Sequence, residues 1–256
     1  MKLIIAGCCK NVGRFLPTIF KNIDQLRTLA TEVRVVFAHD RSNDDTLLKL
    51  ENYYFIHADD TKILLNNNHT PTRTINIAAA RNSIMDYVRK NHADYDLICF
   101  LDTDDIIDKP FNLSTFEKTL AMTDQWDALS FNRHRYYDIW ALRYEPYLRP
   151  CWSWGGDSGK VVALMQGEIT HILNNMAIDE LYPVQSAFNG VALFKLNKFL
   201  NAKFDGLYHP PPPHYNPFPS YRHVQPYDDC EWPNFYNNAR RLNPDLRVMI
   251  SPLLPY

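Results

Sequence analysis

The tightest constraint on this chain is an alternation that runs through its first hundred residues. Short apolar, β-branched runs at 2–8, 32–40 and 96–101 are separated by segments with helical spacing. Between the first two runs, Leu16, Ile19, Phe20, Ile23, Leu26 and Leu29 recur every three or four residues, which predicts a helix over 11–30. A Ser/Asn/Asp cap followed by Leu-Leu predicts a short helix over 42–53, the run Tyr54 to Ala58 a third strand, and 59–72 a polar loop. Ile77, Ala80, Ile84 and Val88 place a helix over 73–91. Strands that are apolar on both faces and alternate with helices belong to a mainly parallel sheet covered by helices on both sides, the Rossmann-like α/β class.

The second half is less regular. Helix is expected near 111–122 and 228–242, strand or hairpin over 127–144, loop over 151–160, a turn then a strand over 184–196, and a closing strand over 245–254. Residues 209–223 are proline-rich and read as stiff, extended chain. No repeat and no linker divides the sequence. The expectation is one domain over 1–256, with residues 1–110 binding a nucleotide-type ligand and 111–256 a second substrate.

Chemistry is concentrated where the apolar run Leu97 to Leu101 ends in Asp102-Thr103-Asp104-Asp105. In open α/β sheets ligands bind beyond the carboxyl ends of the strands. Carboxylates at i and i+2 repel when they converge, and a divalent cation removes that penalty. Hard oxygen ligands suit Mg²⁺ or Mn²⁺, which is commonly shared with substrate phosphates. Asp102 and Asp104 are therefore expected to hold a cation carrying a diphosphate, with Thr103 beside them. Capping of a following helix accounts for Asp105 or Asp108 equally well.

These residues resemble those of GT-A fold glycosyltransferases, whose D-x-D motif follows an apolar strand. "HDRSNDDT" (39–46), "RTINIAAARN" (73–82), "VQSAFNG" (184–190) and "DDCEWPNF" (228–235) resemble, in the same order, segments of fungal capsule-associated mannosyltransferases. The same segments fit a resemblance to large-virus and bacterial GT-A enzymes equally well. Asp40 stands near where the fungal family often has Glu, and Trp232 stands where it has His. The resemblance implies a metal-dependent transferase that moves a sugar from a UDP- or GDP-sugar to a glycan or other hydroxyl acceptor.

On that reading Arg81 meets the diphosphate or ribose, because a guanidinium fork bonds oxyanions in pairs. Ala6, Gly7 and Cys8 end the first strand with small side chains against which a base can lie, and Asn11 begins the next segment. Asp40 ends the second strand and takes donors from a base or ribose, or caps the helix after it. Asn189 and Gly190 are placed near the donor sugar. Glu231, or Asp229 after it, is the expected base for the acceptor hydroxyl; both also suit a helix N-terminus. His223 is a candidate third metal ligand. Trp152 and Trp154 are candidates for packing against an acceptor sugar, although alternating residues of an extended segment point to opposite sides. A base at Glu231 implies inversion at the anomeric carbon, whereas the fungal resemblance implies retention.

Bulk properties exclude several alternatives. A net charge of −2 provides no field to hold nucleic acid. The apolar run Leu3 to Gly7 is too short for a signal peptide or a membrane span, so a cytoplasmic chain is expected. Five cysteines with no C-x-x-C pair read as reduced thiols. Two other functions compete: a haloacid-dehalogenase-like phosphohydrolase, whose D-x-D normally ends the first strand and precedes Gly-Thr, and a non-catalytic carbohydrate-binding protein, suggested by the aromatic residues.

Overall fold

A computed structural model describes residues 1–67, 70–208 and 228–256. The alternation becomes four parallel strands: β1 (Lys2–Cys9), β2 (Glu32–Asp40), β3 (Thr61–Asn66) and β4 (Leu97–Leu101). The second half adds β5 (Ala128–Phe131), β6 (Tyr182–Pro183), β7 (Val191–Lys195) and β8 (Val248–Ser251) to the same sheet. The order across it is β3-β2-β1-β4-β7-β5-β8-β6. β7 runs antiparallel to both β4 and β5, and β6 antiparallel to β8, so only two strands oppose the rest. This is the mixed, mainly parallel sheet expected. It is continuous across residue 110, since β4 pairs directly with β7.

Strand side chains alternate between faces, and the two cores follow that period. Ile4, Ala6, Ile98 and Phe100 face one core. It is closed by α3 (Arg73–Asn91), α5 (Ser158–Asn175) and α7 (Glu231–Leu242) through Ile84, Met165 and Phe235. Leu3, Ile5, Cys99 and Leu101 face the other. That side is covered by α1 (Leu16–Arg27), α2 (Thr46–Ile56) and α4 (Leu113–Ala121) through Ile19, Leu50 and Phe116. A short α6 (Leu196–Phe199) follows β7.

Three elements differ from the sequence expectation. Residues 54–56 continue α2 instead of forming a strand, because Leu50 and Tyr53 keep its buried stripe going; Phe55 and Ile56 are left 86% and 74% exposed at its end. The third strand lies instead at Thr61–Asn66, inside the expected loop, and pairs with β2 from Val35 to Asp40. Residues 151–157 form a 3-10 helix that leads into α5, whose Val161, Met165, Ile169 and Leu173 repeat every four residues. The proline-rich segment, with His223, lies outside the described residues.

Candidate active site

The carboxyl ends of β1, β2 and β4 open into a cleft of about 540 Å³. Its walls come from distant parts of the chain. Cys8 and Cys9 end β1 and Lys10 follows it, Asp40 ends β2, and Asp102, Thr103 and Asp104 follow β4. The first half of α3 contributes Arg73, Thr74, Asn76, Ile77, Ala80 and Arg81. The loop after β5 supplies Tyr137, Asp138 and Trp140, while Phe188 and the start of α7, with Cys230, Glu231 and Trp232, close the far side.

Local geometry fixes the aspartates. The Asp102 backbone N–H donates to the Gly190 carbonyl at 2.8 Å, extending the β4–β7 ladder by one residue. The Thr103 hydroxyl donates to the Cys8 carbonyl at 2.7 Å and ties the end of β4 to that of β1. Gly7 lies beneath it: a Cβ there would stand 2.7 Å from Thr103 Cγ2. Asp104 caps the short 3-10 helix Asp105–Ile107, its Oδ1 accepting from Ile106 N at 3.1 Å. The capping role expected for Asp105 or Asp108 thus falls to Asp104, through one of its two oxygens.

The charges answer one another. Burial pushes the Asp102 carboxyl up to about 8, and the neighbouring Asp104 adds to the rise against the pull of Arg81. Asp104 is also raised, first by burial, with the Ile106 N–H opposing. Asp138 is pushed up to about 6, again by burial. Arg81 is itself buried. It pairs with Glu231, stands 3.6 Å from Asp102 Oδ1, and lays its guanidinium over the Trp232 ring at 4.3 Å. Lys10 holds Asp40 at 3.1 Å. The Cys8 thiol is pushed up to about 11 by burial, so it stays protonated at neutral pH.

The other expected residues lie apart from the cleft wall. Asn11, at φ 53°, stitches two loops: its N–H donates to Ser42 Oγ and its Oδ1 accepts from Asn43 N. Ala6 is enclosed in the core. Asn189 is fully buried; its Nδ2 donates to the Phe131 carbonyl and its Oδ1 accepts from Tyr137 N and Asp138 N. Gly190, at φ +93°, packs behind the aspartates against Ile106. Both oxygens of Asp229 accept from Arg143 Nη2 at 3.2 Å, and Oδ1 also takes Trp152 Nε1 and Cys230 N. Trp154 packs beneath Arg149 at 4.6 Å and against Tyr147. Sequence reading passed over Arg73, Tyr137, Asp138 and Trp140. A lone Asp amid the aromatic residues of "RYYDIW" was the available signal for three of them.

The donor chemistry at the end of β4 suits a small, hard cation. Asp102 offers a carboxylate whose proton a dication would displace, and Asp104 retains an oxygen beyond its capping bond. Among the described residues no group of three His, Cys, Asp or Glu side chains is placed to hold a metal ion. Two carboxylates with water and phosphate oxygens make up the usual magnesium shell. Among the described residues no helix is long and apolar enough to cross a membrane.

No family model and no curated protein sequence matches the chain. Solved structures do resemble it. Residues 1–349 of S. aureus TarS share 15% identity with a TM-score of 0.50, over 100% of this chain and 59% of that one. A mannosyltransferase of Pyrobaculum calidifontis, in complex with GDP-Man and Mn²⁺, shares 14% over 79% of this chain and 47% of that one, at 0.49. Glucosyl-3-phosphoglycerate synthase of Mycobacterium tuberculosis, with Mg²⁺ and UDP, shares 12% over 77% and 57%, at 0.41. The chain spans about half the length of these proteins. The fold is that of GT-A glycosyltransferases.

Proposed function

We propose that this chain is a metal-dependent glycosyltransferase that moves a sugar from a UDP- or GDP-sugar to a glycan or other hydroxyl acceptor. The observation that carries the proposal is the pair Asp102 and Asp104 at the end of a central strand, with Asp102 pushed up to about 8 by burial and its acidic neighbour. Burying a carboxylate among carboxylates is costly unless a cation arrives with the ligand. A Mn²⁺ or Mg²⁺ ion held by these two residues neutralises the nucleoside diphosphate leaving group when bound.

This chain's own residues do the remaining work. Arg73 and Arg81 set positive charge against the aspartates, and Lys10 lines the same cleft, so all three can meet phosphate oxygens. Asp40, at the end of β2, accepts from a base or ribose, and Cys8 at the end of β1 lines the cleft where a base can lie; Gly7 instead makes room for Thr103. Residues 1–110 form the donor side. The exposed rings of Tyr137 and Trp140, from 111–256, form the acceptor side.

Calorimetry with UDP- and GDP-sugars, with and without Mn²⁺, tests the reading. Binding that requires Mn²⁺ and is lost in Asp104→Ala is expected. Tight donor binding by that variant overturns the assignment of the aspartates. Binding of free glycan without nucleotide points to a carbohydrate-binding protein, and turnover of small phosphoesters to a phosphohydrolase.

A further inference from the structure

We infer that Asp138 is the general base that deprotonates the acceptor hydroxyl, with Tyr137 and Trp140 as the platform for the acceptor sugar. The inference rests on the transferase reading above and adds to it the residue that makes the acceptor nucleophilic.

Beyond Asp102 and Asp104, three carboxylates line the cleft, Asp40, Asp138 and Glu231, and Asp229 is the other base expected from the sequence. Asp229 is outside the cleft wall and spends both oxygens on Arg143, Trp152 Nε1 and the Cys230 N–H. Glu231 lines the cleft, but it neutralises Arg81, whose side chain is only 9% exposed. Taking a proton there would leave a buried guanidinium without its partner, a costly state. Asp40 is paired with Lys10 and ends β2, on the far side of β1 from the aspartates. Asp138 remains.

Its surroundings suit the task. The backbone N–H of Ala141 donates to Asp138 Oδ1 at 3.0 Å, which orients the carboxylate, and no described side chain donates to either oxygen. The segment is anchored from behind. Tyr137 N and Asp138 N both donate to Asn189 Oδ1, at 3.0 and 3.2 Å, and Asn189 is fully buried on Phe131. Asn189 is thus a positioning residue. Tyr137 and Trp140 line the same cleft and remain 49% and 36% exposed. An acid that shares a cleft wall with two open aromatic rings suits a sugar, which offers C–H faces to rings and hydroxyls to fixed polar groups. Burial lifts Asp138 to about 6, against the Ala141 N–H and the fields of Arg81 and Arg143, so it is ionised at neutral pH yet basic enough to accept a proton.

The step balances without a further reactant. The acceptor O–H gives its proton to Asp138, and the freed oxygen pair forms a bond to the anomeric carbon. The bond from that carbon to the β-phosphate oxygen breaks, and its electrons leave with the nucleoside diphosphate. A single displacement inverts the anomeric configuration.

The test uses whichever UDP- or GDP-sugar binds with Mn²⁺, with water as the acceptor probe. In Asp138→Asn the melting temperature and Mn²⁺-dependent donor affinity are expected to stay near native values. Release of nucleoside diphosphate falls about 10²–10⁴-fold, and the native protein first releases the inverted sugar anomer. A crystal structure with Mn²⁺ and intact donor reads the geometry whatever the turnover: Asp138 Oδ2 is expected within about 6 Å of the anomeric carbon, leaving room for one oxygen. The assignment is overturned by a carboxylate much farther away, by a retained anomer, or by near-native release in Asp138→Asn while Glu231→Gln loses it. If the native protein binds no donor with Mn²⁺, the transferase reading fails first, and calorimetry alone reveals that.

Discussion

The guanidinium of Arg81 lies on the indole of Trp232, 4.3 Å from its ring. Trp232 is 1% exposed and stacked on Phe188 at 4.2 Å. The aromatic floor holds the guanidinium plane between Glu231 and Asp102. Arg81→Lys keeps the charge but loses the fork and the stacking. Donor affinity in that variant is expected to fall about 10- to 100-fold, measured by calorimetry with Mn²⁺, with a loss of roughly 1–2 kcal/mol in urea unfolding. An unchanged donor affinity removes Arg81 from the donor site.

Trp232 itself is a packing residue. Its ring touches Phe100, Phe194 and Phe204 besides Phe188, so Trp232→Ala opens a cavity at the centre of one core. A destabilisation of about 3–5 kcal/mol is expected from chemical denaturation. A smaller loss, below about 1 kcal/mol, would mean that the surrounding rings collapse into the space.

Asp102 carries a cost in stability. Its carboxyl sits near 8 in the folded protein, above the ordinary value of 3.8. The folded state therefore holds a proton that the unfolded chain releases, and stability falls as pH rises through the window from about 4 to 8. Asp102→Asn removes that penalty. Without metal the variant is expected to be more stable than native by roughly 1–3 kcal/mol at pH 7 and equal to it at pH 4. It should also lose Mn²⁺-dependent donor binding. Equal melting temperatures at pH 7 would show that Asp102 carries no such burden.

Much of this site is written locally in the sequence, and the part that is not depends on distant partners. Cys8, Asp40, Arg81, Asp102, Asp104 and Glu231 line one cleft, and each sits at a strand end or on a helix that periodicity places. The fate of Asp229 is decided by Arg143, 86 residues earlier, and that of Trp152 by Asp229. Asp138 is brought to the cleft by Asn189, 51 residues later. No local pattern signals such pairs. In the fold, the apolar "YFIHA" invites a strand, yet the buried stripe of Leu50 and Tyr53 extends the helix through it. α5 was missed: Val161, Met165, Ile169 and Leu173 recur every four residues, but the Gly and Ser at its start suggest a loop.

An ion cluster at the opposite end of the strands from the cleft adds acid-sensitive stability. Asp127, 4% exposed, accepts from Arg247 N at 2.9 Å and pairs with Lys195 and Arg247, joining the ends of β5, β7 and β8. Burial pushes its carboxyl up, but Arg247, by side chain and backbone, and Lys195 pull harder and leave it below the ordinary value. Its contribution is present above about pH 4 and is lost as pH falls through the lowered value. Asp127→Asn is expected to cost roughly 1–2 kcal/mol at pH 7, a modest figure because Arg247 is 42% exposed. The difference from native should shrink as pH falls below about 4, as read from thermal melts across pH. A gap that persists there would assign the loss to packing.

Gly190 couples backbone shape to the aspartates. At φ +93° it adopts a conformation that side chains resist, and an added Cβ would stand 2.6 Å from Ile106 Cγ2. Its carbonyl receives the Asp102 N–H at 2.8 Å. In Gly190→Ala, strain and clash both act on the strand that presents Asp102, so a loss of about 2–4 kcal/mol is expected in urea denaturation. Relief of the strain moves the carbonyl and with it Asp102, so Mn²⁺-dependent donor affinity should fall about tenfold even where the variant is fully folded. Full affinity in a folded but destabilised Gly190→Ala would show that the aspartates hold their place without this residue.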